Sequence, residues 1–223
     1  MPSVIVFDVN ETLLDLRGLD ASFKRYFGLA GVRKEWFTQV LSSAMVATIT
    51  DAYTDFTTIG GAALTMIAER RQVVLSDDAH AAILGAMRTV PPHAEAREAL
   101  ARLRDKGLRL GALTNSTAET AEAQLKHAGL YDFFERVLSA DAVRRLKPAP
   151  EPYHMAAQRF GVSPGGIRLV AAHEWDVTGA LRAGCAAAFV ARPGMVLDPL
   201  AAPPDIVGAD LIAVAERILA VER

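Results

Sequence analysis

Three side chains in this sequence are suited to covalent hydrolytic chemistry: a carboxylate at Asp8, an amine at Lys147 and an imidazole at His173. A carboxylate can attack an electron-poor carbon and form an ester, which splits one difficult hydrolysis into two easier steps. It must stay ionised to do so. Burial works against the charge, and a neighbouring ammonium restores it; that is the use a lysine close to Asp8 would have. An imidazole titrates near neutral pH and can accept a proton from water. Each residue also has a plainer use. Asp8 suits a turn or a helix cap, Lys147-Pro148 suits an exposed turn, and a lone histidine commonly serves as a structural hydrogen-bonder.

The elements around these residues decide between the uses. Val4-Ile5-Val6-Phe7 is a continuous apolar run, as expected of a central parallel strand covered on both faces. Asp8 follows at its carboxyl end, where open α/β sheets bind their ligands. From His93 the chain alternates. Helices are expected over 94–106, 119–128, 152–160, 178–183 and 210–221, four of them closed by a glycine, and strands over 108–113, 136–138, 167–172 and 186–190. Alternation of this kind predicts an α/β fold with a parallel sheet between two helical layers, a Rossmann-like three-layer core. Residues 192–207 hold four prolines and read as an irregular loop.

Between Leu14 and Val90 no comparable strand pattern occurs. Aromatic and aliphatic residues recur at helical spacings over 19–69, and Ser76-Asp77-Asp78 is an N-terminal cap signal for a helix reaching Met87. The chain is therefore divided into an α/β core, 1–14 with 91–223, and an all-helical insertion over 15–90 that leaves from the loop bearing Asp8. In a parallel sheet, three further strand ends would face that loop: Thr114-Asn115-Ser116, Lys147-Pro148, and the run from Leu169 to Asp176.

Taken together, Asp8-x-Asn10-x-Thr12 after an apolar strand, Thr114 at a second strand tip, Lys147-Pro148, and Trp175-Asp176-x-Thr-Gly-Ala180 resemble the four motifs of the haloacid dehalogenase superfamily, in the family order. Nearly the whole chain is covered, Trp36, Tyr53 and Phe56 included. The similarity is to its type II 2-haloacid dehalogenases. It implies a haloacid dehalogenase-like fold with the insertion as a cap, Asp8 as nucleophile, and Lys147 and Thr12 holding its carboxylate. It implies Asp176 and His173 as the groups that position water. Asn10, Thr114, Asn115, Phe37, Phe56 and Tyr153 would contact substrate, with Asn115 as a donor to the leaving group. It also implies a metal-independent, cofactor-free (S)-2-haloacid dehalogenase acting through an aspartyl ester, and a homodimer. The sequence departs from the family at Phe37, where an arginine holds the departing halide, and at Ala171-x-His173, where the family has Ser-x-Asn. Arg33 is a second cap arginine that could take the missing place.

A magnesium-dependent phosphatase of small metabolites is the alternative within the superfamily. It is disfavoured because Asn10 stands where the phosphatases carry a second Asp, and Ala172 where they carry a magnesium ligand; Glu174 would have to fold back to replace it. A non-catalytic binding protein of the same fold is the third reading. The composition narrows the partners. A net charge of -2 gives no attraction to nucleic acid or an anionic membrane. No run approaches the roughly 20 apolar residues of a bilayer span, and the first residues lack a basic segment. The one cysteine, Cys185, lies in an apolar run and suits a buried structural place, which fits a reducing cytoplasm. The expected partner is a small carboxylate substrate.

Overall fold

The computed structural model describes residues 2–222. Six strands form one parallel sheet in the order β3-β2-β1-β4-β5-β6: β1 (Val4–Phe7), β2 (Arg109–Thr114), β3 (Arg136–Ser139), β4 (Ile167–Ala171), β5 (Ala186–Val190) and β6 (Ile206–Gly208). The chain builds outward from β1 to β3, then returns to lay β4 on the other side of β1. That reversal opens a crevice beyond the carboxyl ends of β1 and β4. Every residue of β1 is buried, and its side chains alternate between two interiors. Ile5 and Phe7 join one apolar cluster, and Val4 and Val6 join the other, as the two-residue period of a strand requires.

Between β1 and β2 lie α1 (Asp20–Phe27), α2 (Val32–Ile49), α3 (Phe56–Arg70), α4 (Asp77–Ala86) and α5 (Ala96–Asp105). The first four carry the insertion. Asp55 caps α3 by accepting from Thr57 N and Thr58 N, and Ser76 caps α4 by accepting from Ala79 N, each satisfying amides that the first helical turn leaves unpaired. Trp36 of α2 is buried against Phe23 and donates its indole N–H to Gly60 O at 2.9 Å. The interior of the insertion is continuous with the Ile5–Phe7 face of the sheet, through Trp36, Phe56, Leu64 and Ile83. The end of α2 is tied to the loop that carries Lys147. Leu146 N donates to Thr48 Oγ1 at 3.3 Å, Arg145 pairs with Asp51, and Tyr53 donates its hydroxyl to Asp141.

The remaining helices are α6 (Ala118–His127), α7 (Pro150–Phe160), α8 (Glu174–Arg182) and α9 (Leu211–Val221). Two expectations need correction here. Helix α8 begins at Glu174 rather than 178, so Trp175 and Asp176 lie in its first turn; the polar His-Glu-Trp-Asp run hides the helical period there. And the proline-rich segment ends in β6, whose three residues are too few to show a strand period. Gly179 lets α8 lie close to α7: a Cβ there would stand 2.6 Å from the Tyr153 hydroxyl and 2.7 Å from Pro148 Cβ. Among the described residues no helix is long and apolar enough to cross a membrane.

Candidate active site

Asp8 continues β1 by one residue, donating its amide to Val170 O of β4 at 3.0 Å, and its side chain is buried at the sheet's carboxyl edge. Thr12 Oγ1 donates to Asp8 Oδ2 at 2.7 Å and itself accepts from Ala172 N at 2.9 Å. The loop between them is sharply turned. Leu13 and Leu14 both donate their amides to Val9 O, and Glu11 takes a left-handed backbone conformation with φ 62°. For a residue other than glycine that conformation costs on the order of 1–3 kcal/mol. Three contacts hold it: His93 Nε2 meets Glu11 O at 3.2 Å, and Arg192 donates to Thr12 O through Nη2 at 2.7 Å and Nε at 3.3 Å.

Lys147 is buried, and its ammonium spends all three hydrogens, on Asp8 Oδ1 at 2.9 Å, Leu113 O at 2.9 Å and Asp176 Oδ2 at 2.5 Å. Tyr153 occupies the other oxygen, donating to Asp176 Oδ1 at 2.6 Å. On the far side of Asp8, His173 presents Nδ1 at 3.6 Å from Oδ2, beyond hydrogen-bond range. Its Nε2 donates to Glu11 Oε2 at 3.0 Å.

Asp8, Lys147 and His173 line a small cleft with Phe37, Leu41, Phe56 and Trp175 as its apolar wall and Asn10, Thr114 and Asn115 as polar neighbours. A larger apolar cavity of about 190 Å³ lies behind Phe56, between Trp36, Val40, Leu84 and Met87. A buried carboxylate at a strand edge, paired to a lysine and covered by Phe37, Leu41 and Phe56 of the inserted helices, is an arrangement that keeps an anionic oxygen out of bulk water.

The comparisons agree with that geometry. Residues 2–184 match the family described as haloacid dehalogenase-like hydrolase. The chain belongs to the haloacid dehalogenase-like hydrolases. Haloacetate dehalogenase H-2 of Moraxella sp. (strain B) is 30% identical over 203 residues, which are 90% of this chain and 91% of that one. The (S)-2-haloacid dehalogenase of Pseudomonas sp. (strain YL) is 28% identical over 214 residues, 95% of this chain and 92% of that one. The L-2-haloacid dehalogenase structure from Xanthobacter autotrophicus superposes with a TM-score of 0.93 at 25% identity, covering 100% of both chains. The structure of that enzyme with chloropropionic acid covalently bound superposes equally well, at TM-score 0.93.

For this haloacid dehalogenase-like hydrolase, the electrostatics follow from burial against charge. Burial pushes the Asp8 pKa up, but Lys147 and then His173 outweigh it and hold the carboxyl well below its ordinary range. Asp176 goes the other way: burial raises it, and Lys147 offsets only part of that. Burial also pulls His173 down, yet the two carboxylates beside it win and lift it to about 9. The two carboxylates thus favour the protonated form of the imidazole. A divalent ion does not fit the residues present, because the Lys147 ammonium fills the space between Asp8 and Asp176 that the ion would need.

Other expected site residues have partners of their own, and Asn10, Thr114 and Asn115 line the cleft as well. Asn10 is tied on both ends: Nδ2 donates to Ser116 Oγ at 3.2 Å, and Oδ1 accepts from Gln124 Nε2 at 3.1 Å. Asn115 clamps the backbone of Lys147, accepting from its N at 2.8 Å and donating to its O at 3.2 Å. Thr114 accepts from Ser116 N at 3.1 Å rather than bonding Asp8, while still facing the cleft. Tyr153 is buried behind Asp176 and does not line the cleft. Arg33 is held by Asp20 at 2.6 Å and is not free to reach the leaving group. Glu11, Arg192 and Gln124 are missed by sequence reasoning. Only Glu11 carried a signal, its place in the Asp8–Thr12 loop; the other two lie in segments read as loop and helix.

Proposed function

We propose that this enzyme hydrolyses the carbon–halogen bond of 2-haloalkanoic acids through an ester on Asp8. The carrying observation is the Lys147 ammonium, in contact with both Asp8 and Asp176. An Asp8 oxygen forms the bond to C2 as the C2–halogen bond breaks, and the electron pair leaves with the halide. Lys147 and Thr12 hold the carboxylate in line for this attack. Once Asp8 is esterified its negative charge is gone, and Asp176 is the carboxylate left beside Lys147. Asp176 then accepts a proton from the water that adds to Asp8 Cγ; the bond between Cγ and the oxygen on C2 breaks, and the departing alkoxide takes that proton and leaves as the 2-hydroxy acid, with an oxygen that began on Asp8. The helical insertion over 15–90 serves as a cap that keeps bulk water out, which strengthens each of these contacts.

Several relatives are (S)-2-haloacid dehalogenases, which supports this reading. We infer the same handedness of substrate, a cytoplasmic location consistent with the free buried thiol of Cys185, and a homodimer. Exposed Val46 and Ile49 on α2 support the last, and light scattering on the purified protein tests it. A single turnover of (S)-2-chloropropionate in 18O-labelled water tests the chemistry. Label found first in Asp8 is the expected result; label passing straight into lactate would remove the ester.

A further inference from the structure

The reaction cleft holds about 10 Å³ of free space, roughly the room of one water. A haloacid is several times that size, so a wall of the cleft has to move before Asp8 can meet a carbon. Beyond Phe56 lies the cavity of about 190 Å³. We propose that Phe56 is a movable wall: on substrate binding its ring turns out of the cleft into that cavity, and a small apolar molecule lodged in the cavity holds the cleft shut. The inference rests on the dehalogenase reading above and deepens it, because it says where the substrate gains its room.

Four observations carry it. Among the described residues, Phe56 alone lines both spaces. The other aromatic walls of the cleft are held: Phe37 packs against Trp36 and His173, with centroids 6.1 and 6.2 Å away, and Trp175 stacks on His173 at 5.1 Å. The backbone at Phe56 is anchored, because it opens α3 directly after Asp55, which accepts from Thr57 N and Thr58 N. The movement is then a change of side-chain rotamer and needs no shift of the helix. The receiving space is firmly walled as well. Trp36 is fixed by its bond to Gly60 O at 2.9 Å, and Gly60 lines the cavity without a side chain, although a Cβ there would meet Leu84 and Trp36 only at 3.5 and 3.7 Å. Protein interiors are close-packed, with few voids larger than a water; open space kept beside a filled cleft fits a ring that travels.

The lining sets what the cavity accepts. Trp36, Val40, Leu84 and Met87 offer hydrocarbon, and the charged residue among the lining, Arg88, is paired with Glu119 at 2.9 Å on the exposed rim. A phenyl ring suits such a space, and an apolar cavity of about 150 Å³ is enough for benzene. The same fit admits a small aromatic or alkyl molecule from solution, past exposed Thr57 and Gly85. That molecule and an acid in the cleft exclude one another, since the acid needs the Phe56 ring in the cavity and the molecule needs it out. Each ligand therefore draws the ring towards the position that the other cannot use.

The test uses NMR of the full-length protein, following the methyl of Met87 in the cavity and the indole N–H of Trp175 at the cleft. The probes are propionate, a carboxylate without a leaving group, and benzene. We expect propionate to shift both signals in the unaltered protein and only that of Trp175 in Phe56→Leu, which has no ring current to deliver. Added benzene should reverse both shifts. Halide release from (S)-2-chloropropionate gives a second readout: KM should about double when benzene stands at its own Kd, with kcat intact. Leu84→Trp fills the cavity from α4; it should keep or raise stability while kcat/KM falls about tenfold, the scale of overpacking one side chain. A Trp175 shift with Met87 unmoved would overturn the swing and place the moving wall at Leu41. Benzene that leaves both KM and bound propionate unaffected, or an unchanged kcat/KM in Leu84→Trp, would overturn the exclusion. If the unaltered protein releases no halide, the proposed function fails, while the Met87 and Trp175 signals still decide whether Phe56 moves for a small carboxylate. Propionate that shifts neither signal would remove the swing as well.

Discussion

Tyr153 donates its hydroxyl to Asp176 Oδ1 at 2.6 Å from a buried position behind the cleft. Burial and the neighbouring Asp176 raise the phenol well above its ordinary pKa, so the proton remains on oxygen. The bond leaves Asp176 pointing its other oxygen at Lys147. Tyr153→Phe removes one support from the carboxylate assigned to the water step. The expected outcome is a fall in kcat of about tenfold with KM nearly unchanged, on the scale of ~1–1.5 kcal/mol for one hydrogen bond. Rapid-quench mass spectrometry should show ester accumulating on Asp8. An equal slowing of halide release in the first turnover would assign Tyr153 to the first step instead.

His173 gives the fold a dependence on alkaline pH. Its native pKa of about 9 exceeds the ordinary 6.5, so the folded state binds the extra proton. The associated stability is fully present below about pH 6.5 and is lost as pH rises through about 9, and on the order of 3 kcal/mol is at stake. Urea midpoints measured from pH 6 to 10 should fall in the parent protein and stay flatter in His173→Asn. Parallel curves for the two would contradict the charged ring.

Phe56 separates the reaction cleft from the cavity of about 190 Å³ beside Trp36 and Leu84. Phe56→Ala should join the two spaces and shift preference from chloroacetate towards 2-chlorohexanoate. Each added methylene in an apolar pocket is worth ~1 kcal/mol or more, so the ratio of kcat/KM values should move at least tenfold. A ratio that stays put, with the variant folded, would mean that the side chain of the substrate lies elsewhere.

Arg192 supports the nucleophile loop from outside the cleft, bridging Thr12 O and Glu95 at 2.8 Å. Arg192→Met keeps much of the buried volume and removes these bonds. Hydrogen bonds from a charged group contribute about 1.5–3 kcal/mol, and the variant should lose stability on that scale. It should also lose kcat, because the strained Glu11 conformation is no longer clamped. Full activity with lowered stability would limit Arg192 to a structural part.

The chain by itself determined the family resemblance and the general architecture. An apolar strand ending at Asp8, helix and strand alternating after His93, and Lys147 at a later strand end already specify a parallel sheet with a carboxylate and a lysine at its carboxyl edge, because burial patterns are local and periodic. Short elements were harder: β6 has three residues and no readable period. Tertiary structure alone decided how each polar side chain is used. Asn10, Asn115 and Tyr153 look like substrate contacts in one dimension; in space each also has a partner elsewhere in the chain, and Asn10 and Asn115 still line the cleft. The His173 pKa is raised for the same reason. A pKa depends on which charges surround a group in space, and Glu11 lies 162 residues away from it in sequence.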